Sequence, residues 1–424
     1  MTGSGPEVSR RSLLGAVGIG AAGLVVGGVA GATAASASDS LHEEASGIVP
    51  FYDGHQAGIT TPPQDRVEIA AFDVTAPDRQ SLIEMLQQWT SAASNMTAGQ
   101  QAVAGGAVDG PPDAPPTDTG EALGLPASEL TLTFGVGATL FRDATGKDRF
   151  GIANKRPANL IDMPAFPKDD LDPLLCGGDL VVQACANDAQ VAFHAIRNLA
   201  REAHGSAVIR WVTQGFGRTA ATSAPGQTTR NLFGFKDGTL TITDKEAKAQ
   251  DDFVWAEASD GTPWMAGGTY LVARRIQQVI ETWDRTSLED QQKVIGRFKG
   301  SGAPLSGGTE FSPLDLTKTG PDGQPLIPTD AHVAVVSPEK HGGTRLLRRG
   351  YSFTDGVDDT GHLNAGLMFL AFVRNPATQF VPIQMSMSSS DHMNEYIKTH
   401  GSSLYAIPPG LTKPGQYWGQ QIFA

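Results

Sequence analysis

The chain has few cysteines and little excess positive charge. Only two of its 424 residues are cysteine, Cys176 and Cys185. A four-cysteine metal site is therefore excluded, and no Cys-x-x-Cys-His segment exists for covalent haem attachment. The net charge of −13 argues against a nucleic-acid groove, which needs a basic face. The two cysteines could form a disulfide if the chain is exported, but folding in a reducing cytosol favours two small buried thiols.

The first forty residues differ from the rest of the chain. Ser9-Arg10-Arg11-Ser12-Leu13-Leu14 is typical of a twin-arginine export signal and is followed by an uncharged run from Leu13 to Ala37. Ala35-Ser36-Ala37 gives a small-residue cleavage pattern, with Ala32-Thr33-Ala34 as a second one. The run is long enough to span a bilayer. Its glycine content and its small-residue end nevertheless favour a cleaved signal peptide over residues 1–37 and an exported protein.

Hydrophobic periodicity predicts the same order of elements in each half of the remaining chain. Alternating residues indicate strands and 3.6-residue spacing indicates helices. The order is strand, helix, strand, then strand, helix, strand, and it recurs after Gly234. The predicted strands cover residues 66–74, 130–134, 179–186 and 207–212 in the first half, and 269–273, 333–336, 366–373 and 403–407 in the second. One predicted helix follows Asp78 and another runs from Val191 to Leu199; in the second half the predicted helices cover 287–297 and 391–399. Residues 94–127 are predicted to form a long surface excursion. This predicts an α+β fold of two ferredoxin-like (split βαβ) halves with antiparallel sheets.

Three short segments in the second half carry the candidate chemistry. The first places Asp237 between Gly234-Phe235-Lys236 and Gly238-Thr239, the second is His332 at the start of Val333-Ala334-Val335-Val336, and the third is Leu347-Arg348-Arg349-Gly350-Tyr351. Each has an ordinary alternative: a tight turn, a core histidine or a solvated arginine pair. Together they supply an acid, a metal-ligating base and a permanent cation, which peroxide chemistry on a haem iron needs.

The residues of these three segments and the spacing between them resemble the dye-decolourising peroxidase family, and within it the exported branch described as deferrochelatase/peroxidase. The resemblance runs in order over about residues 50–410. Its further segments include His55-Gln56-Ala57-Gly58-Ile59, Gly267-Gly268-Thr269-Tyr270-Leu271, Gln379-Phe380-Val381-Pro382-Ile383-Gln384 and Asn394-Glu395-Tyr396-Ile397. It implies an N-terminal half over 51–225 and a C-terminal half over 226–424 that holds most of the haem. An exported chain that must capture a cofactor before leaving the cytoplasm also suits the twin-arginine route.

The resemblance assigns a role to each of the three key residues. Of the nine histidines, only His332 combines an apolar setting with the position of the family's proximal iron ligand. Asp237 matches the distal acid, which takes a proton from hydrogen peroxide and returns it to the departing oxygen. Arg348 matches the distal arginine, whose charge cannot be lost by titration. Asp391 is the expected acceptor for the second ring nitrogen of His332.

Further haem contacts are implied on either side of the cofactor. One set is Gly238, Thr239 and Leu240; the other is Ser337, Pro338 and Glu339. Glu339 departs from the family pattern, which often has arginine there, and a glutamate cannot pair with a haem propionate. Arg275 is a candidate substitute. Arg349 should point away from the haem, because neighbouring strand residues face opposite sides.

The sequence therefore predicts an exported haem b peroxidase with one haem per chain. Its expected reactants are hydrogen peroxide and a small organic electron donor such as a dye or phenol. We expect no binding of nucleic acid and no permanent membrane span. The alternatives are a deferrochelatase that releases iron from haem, with iron-uptake or export partners, and a non-catalytic haem carrier. Bulky donors would need a surface aromatic residue as electron relay, and the candidates are Trp255, Trp264, Tyr351, Tyr396 and Tyr405.

Overall fold

The computed structural model describes residues 47–217 and 227–424. The predicted signal peptide, residues 1–37, and His42 lie outside the described residues. None of the helices in the described ranges is long and apolar enough to cross a membrane. Both cysteines are free thiols; Cys185 is buried, as predicted, whereas Cys176 is partly exposed.

The first half is built from two split strand–helix–strand units. Asp78 begins the first long helix by accepting a hydrogen bond from the Ser81 backbone N–H at 2.8 Å. Asp188 begins the second in the same way. The elements are β1 (Arg66–Val74), α1 (Arg79–Thr97), β2 (Thr131–Gly137), α2 (Ala138–Phe141), β3 (Leu180–Ala186), α3 (Ala189–Glu202) and β4 (Ala207–Phe216), with 3₁₀ turns at Ala153–Lys155 and Pro173–Leu175. The strands form an antiparallel sheet in the order β2-β3-β1-β4.

The second half repeats this topology. Its elements are α4 (Ala247–Phe253), β5 (Thr269–Gln278), α5 (Ile280–Trp283), α6 (Leu288–Ile295), α7 (His332–Val335), β6 (Leu347–Arg348), β7 (Tyr351–Val357), β8 (Leu363–Val373), α8 (Phe380–Ser390), β9 (Ile397–Ile407) and α9 (Gln420–Phe423), with 3₁₀ turns at Ala258–Asp260, Pro263–Met265, Pro338–His341 and His392–Glu395. The order β9-β5-β8-β7 matches that of the first sheet. The predicted α+β fold of two ferredoxin-like halves is confirmed.

The two sheets close on each other into one ring of strands. Strand β2 pairs with β9 at Val136 and Ala406, and β4 pairs with β7 at Phe216 and Ser352. Alternate side chains therefore face either the inside of the ring or the helices outside it. Ile69 of β1 belongs to the buried cluster inside the ring, whereas Phe72 packs with the helices.

Two local predictions were wrong. Residues 333–336 are not a strand: His332 begins the single helical turn α7, closed by the Val336 N–H donating to the His332 carbonyl at 3.1 Å. Residues 391–399 are not one helix, because a 3₁₀ turn at His392–Glu395 leads directly into β9. Short apolar runs fit both periodicities, so tertiary packing decides between them.

Other elements differ in extent or were not anticipated. Helix α1 continues to Thr97, so the surface excursion begins later than residue 94. Strand β7 and helix α8 were not predicted. Strand β7 directly follows the Arg348-Arg349 pair, a segment that was interpreted only as part of the candidate site. Helix α8 contains Pro382, and because proline is unfavourable inside helices it obscures the helical pattern of this segment.

Glu68 is a carboxylic acid buried on the outer face of β1. Its neighbours across the sheet are Ala184 on β3 and Gln214 on β4, and the residue is 5% exposed. Burial raises the pKa of Glu68 to about 7, and a hydrogen bond with the Gln214 side chain offsets only part of this effect. The folded chain therefore favours the protonated form of this carboxyl group.

We expect the Glu68→Gln variant to become more stable relative to the parent chain as pH rises. The folded-state pKa lies above the unfolded-state value of 4.5. The stabilisation from the protonated carboxyl is complete below that value and is lost as pH rises through 7. The relative gain should reach roughly 3 kcal/mol by about pH 8, measured by urea unfolding across a pH series. The exposed Glu84 is the matched control, and a stability difference independent of pH would contradict the prediction.

Candidate active site

A cavity of about 210 Å³ lies on the outer face of the second sheet. Outward residues of β5 and β8, such as Ile276 and Phe369, form its floor, and α8 covers it through Phe380 and Ile383. The lining is largely apolar. The polar and glycine residues among the lining are Asn231, Lys236, Asp237, Gly238, Thr239, Gln278, Arg297, His332, Ser337, Thr344, Arg345, Arg348 and Gln384. All three key residues predicted from the sequence therefore line one cavity.

His332 lines the cavity from the first position of α7. Its Nδ1 lies 2.7 Å from Oδ2 of Asp391, so the expected hydrogen bond is present. Asp391 is buried, and its other carboxylate oxygen accepts a hydrogen bond from the Met393 N–H at 2.9 Å. The carboxylate is thus fixed from two sides. The second ring nitrogen of His332, Nε2, has no partner among residues 47–217 and 227–424 and is available to a metal ion.

Asp237 and Arg348 form an ion pair at the cavity, with Arg348 Nη1 and Asp237 Oδ1 3.2 Å apart. Both side chains are partly exposed. The Asp237 N–H donates to the Thr229 carbonyl at 2.9 Å, which places the acid at the end of a small hairpin. The Arg348 N–H donates to Thr241 Oγ1 at 2.8 Å, so β6 is tied to the segment that follows the acid.

Arg349 points away from the cavity, as the alternation of strand residues predicts. Its backbone N–H donates to the Leu370 carbonyl, so the two residues lie opposite each other on neighbouring chain segments. Residues paired in this way share a face, and the Leu370 side chain lies in the cluster inside the ring. The guanidinium is fully buried and donates to the Thr61 carbonyl and the Gln64 side chain. Arg349 therefore links the second half to the N-terminal segment, and Arg348 alone of the pair faces the cavity.

Most of the other predicted contact residues also line the cavity: Gly238, Thr239, Leu240, Ser337 and Pro338. Glu339 is the exception. It is exposed on the 3₁₀ turn Pro338–His341 and does not line the cavity. This removes Glu339 from the predicted set.

Arg275 does not take the place of the missing arginine. It has the same strand parity as Leu271 and Ala273, which face the inside of the ring. Its guanidinium lies 4.0 Å from the ring centroid of Phe353 and pairs with Asp355 at 3.0 Å. Burial lowers the pKa of Arg275.

Two cationic residues of the cavity, Arg345 and Arg297, were not predicted from the sequence as site residues. Arg345 lines the cavity and pairs with Glu246 at 2.7 Å. Arg297 also lines it and is 5% exposed; burial lowers the pKa of Arg297, as does the nearby charge of Arg348. Arg345 stands three residues before Arg348, and Arg297 follows the end of α6, but neither position by itself indicates a cavity.

The relay candidates differ in their connection to the cavity. Tyr351 and Tyr405 are fully buried, Trp255 stacks on the His55 ring with centroids 3.7 Å apart, and Trp264 donates to the Lys155 carbonyl. Tyr396 contacts Trp283 at 5.0 Å between ring centroids. Trp283 in turn lies 5.9 Å from Phe235, which lines the cavity. Among the five candidates, these ring contacts connect Tyr396 to the cavity.

The donor set of the cavity fits a haem. Nε2 of His332 is free to ligate iron, and apolar side chains suit the faces of a macrocycle. Ser337 Oγ and Gln278 Oε1 are buried at the cavity without a hydrogen-bond partner in the described part of the chain. Buried polar atoms are normally satisfied, so these two indicate that a further polar group belongs there.

The family model for the N-terminal domain of Dyp-type peroxidases matches residues 56–217, and that for the C-terminal domain matches residues 228–412. Together with the fold, these matches define the class: the chain belongs to the Dyp-type peroxidase family and is a haem-dependent peroxidase.

Individual relatives agree with this assignment. The chain is 35% identical to a deferrochelatase of Yersinia pestis (bv. Antiqua, strain Nepal516), over 98% of this chain and 94% of the relative. It is 36% identical to a dye-decolorizing peroxidase of Thermobifida fusca, over 87% and 83% of the two chains. The structure of ferric DtpA from Streptomyces lividans superposes with a TM-score of 0.81 at 37% identity, covering 90% of this chain and 99% of that one.

Proposed function

We propose that this chain binds one haem b and uses it to reduce hydrogen peroxide while oxidising small organic donors such as dyes and phenols. One observation carries the proposal. The His332–Asp391 hydrogen bond and the Asp237–Arg348 ion pair border the same largely apolar cavity. Haem would supply the iron at which peroxide is reduced and the oxidising equivalents that donors then remove.

His332 is the residue that would hold the iron, through Nε2. The Asp391 carboxylate accepts the Nδ1–H and thereby fixes both the tautomer and the orientation of the ring. A carboxylate in that position makes the imidazole a more basic ligand, which favours oxidised iron. Because Asp391 also accepts the Met393 N–H, it cannot rotate away without losing a second hydrogen bond.

Asp237 is the group that moves the proton. As a carboxylate it accepts a proton from hydrogen peroxide and then returns it to the oxygen that leaves as water. Arg348 lies 3.2 Å away and remains charged throughout. It stabilises the negative charge that develops as the O–O bond breaks.

Arg345 is the residue that we assign to a haem propionate, in the role for which Glu339 is unsuited. It lines the cavity, and its guanidinium is partly exposed. Glu246 holds it with two hydrogen bonds, at 2.7 and 3.2 Å. A planar guanidinium has further donors left for a carboxylate.

The assignment of the iron ligand predicts a selective effect of histidine substitutions. We expect His332→Ala to lower the haem content or change the spin state of the haem, because it removes the only side chain assigned to the iron. His400 is the control, since its ring nitrogens contact Asp170 and Gln277. His400→Ala should leave the haem spectrum as in the parent. Absorption spectra of the purified variants decide the matter, and an unaltered spectrum for His332→Ala would exclude His332 as the ligand.

The distal pair predicts slower reaction with peroxide. Asp237→Asn keeps the shape of the side chain but cannot accept the proton, and Arg348→Leu removes the fixed charge. We expect both variants to bind haem and at least one to react roughly tenfold more slowly or worse, the lower end of such effects. Stopped-flow absorbance after mixing with one equivalent of peroxide measures the rate. Parent rates in both variants would favour the haem-carrier alternative.

Release of iron from haem is a second candidate function, which the names of the Yersinia and Escherichia coli relatives favour. The same cavity would serve both reactions. Product analysis separates them: a peroxidase leaves the haem intact and oxidises its donor, whereas a deferrochelatase yields free porphyrin and iron. A chain that served iron acquisition in this way would also need uptake or export partners.

We also propose that the chain is exported by the twin-arginine route, with cleavage after Ala37 or Ala34. The support is the Arg10-Arg11 pair followed by the uncharged run and the small residues. Changing both arginines to lysine should leave folded, haem-loaded protein in the cytoplasm, detected by fractionation and haem absorbance. The parent chain is the control. Normal export of the double-lysine variant would rule out the twin-arginine machinery.

A further inference from the structure

Glu310 is a nearly buried carboxylate that no part of the proposed reaction uses. It is 8% exposed, on the long connection between α6 and α7. One of its oxygens accepts a hydrogen bond from the ammonium of Lys236, and the other accepts from Thr239 Oγ1 at 3.2 Å. Together with the side-chain hydrogen bond from Thr228, these contacts lower the pKa of Glu310 despite its burial. Glu310 is therefore an ionised acid inside the protein.

All three donors come from the segment that carries Asp237. Lys236 directly precedes the acid and Thr239 follows it by two residues, so the carboxylate of Glu310 bridges the two sides of Asp237. The side chain of Lys236 has little freedom to move. A Cβ atom added to Gly302 would lie 2.7 Å from Cδ of Lys236, so this glycine provides the space in which the lysine lies.

The backbone of Glu310 is itself anchored at the cavity. Nη1 of Arg297 donates to the Glu310 carbonyl at 2.8 Å and to the Gly302 carbonyl at 2.7 Å. Arg297 lines the cavity beside Arg348. The segment that holds Asp237 is thus connected to the cavity wall through Arg297 and Glu310.

We propose that Glu310 is a positioning residue for Asp237, holding the acid in place through Lys236 and Thr239 and balancing the positive charge around it. The proposal rests on the proton-transfer role of Asp237. Among the charged groups of the cavity, Arg348 pairs with Asp237, Arg345 pairs with Glu246, and Lys236 pairs with Glu310. The Arg297 guanidinium lies near both Glu310 and Arg348, so Glu310 is the negative group next to Lys236 and Arg297. Without Glu310, Lys236 and Arg297 would lose the negative charge that lies next to them.

This arrangement predicts opposite effects for the two partners of one ion pair. Glu310→Gln keeps a hydrogen-bonding side chain but removes a negative charge, which favours ionised Asp237. Lys236→Gln removes a positive charge and leaves the negative charge of Glu310 uncompensated, which disfavours the ionised form of Asp237. The acid limb of kcat/KM for hydrogen peroxide reports the ionisation of the free enzyme's base. We expect the limb to move to lower pH in the first variant and to higher pH in the second, each by on the order of half a pH unit.

The experiment is a pH profile of kcat/KM for peroxide on haem-loaded full-length protein, with haem content and melting temperature recorded for each variant. The Asp179→Asn variant is the matched control, because Asp179 is similarly buried and pairs with Arg149 at 2.6 Å in the other half. It should change stability and leave the acid limb in place. A general loosening of the protein would shift the two test variants in the same direction, whereas charge balance shifts them in opposite directions.

Combination with Asp237→Asn separates this inference from the function on which it rests. If Glu310 acts through Asp237, adding Glu310→Gln to Asp237→Asn should slow the reaction by no more than about twofold further, since coupled residues are not additive. The role of Glu310 would be overturned if the acid limbs of the two variants did not move or moved in the same direction. A fully additive loss of rate in the double variant would overturn it as well. An acid limb that persists in Asp237→Asn would instead remove Asp237 as the base, and the inference would fall with it.

Discussion

The closure of two antiparallel sheets into one ring is the constraint on which the rest of the structure depends. Pairing of β2 with β9 and of β4 with β7 leaves no free edge between the halves and gives every strand one inner and one outer face. The inner face holds an apolar cluster to which both halves contribute, together with buried polar groups such as Arg275 and Arg349. The candidate site lies on the outer face of the second sheet, where α7 and α8 cover a cavity. The parity of a strand residue decides whether it can take part, which is why Arg348 reaches the cavity and Arg275 and Arg349 do not.

The cavity combines two kinds of polar contact with different degrees of freedom. The His332–Asp391 hydrogen bond is short, and its carboxylate is buried and capped, so the imidazole is held in one orientation. The Asp237–Arg348 pair is longer and partly open to solvent. This difference suits the roles that we propose for them, since a metal ligand must stay fixed while an acid that exchanges protons must remain accessible to its substrate. Glu310 and Arg297 then restrict the backbone around the more open pair.

Much of the fold and of the site could be predicted from the chain itself. Strand β1 and the helices capped by Asp78 and Asp188 are marked by alternation, helical spacing and capping residues, which are local properties. The three key residues were found because their segments resemble a known family. Local patterns failed for the short apolar run after His332 and for residues 391–399, where helix and strand periodicities are equally satisfied and long-range packing decides.

The sequence by itself determined the α+β order of elements, the antiparallel pairing within each half and the choice of Asp237, His332 and Arg348 as candidate site residues. Only the tertiary structure decided that the two sheets join, that Asp391 lies within hydrogen-bond distance of His332, and that Arg345 rather than Glu339 or Arg275 borders the cavity. It also brought Glu310 to Lys236 and Thr239, on either side of Asp237, across more than seventy residues of chain. The physical reason is that strand and helix preferences act over a few residues, whereas a cavity is formed by segments whose separation in sequence carries no information about their distance in space.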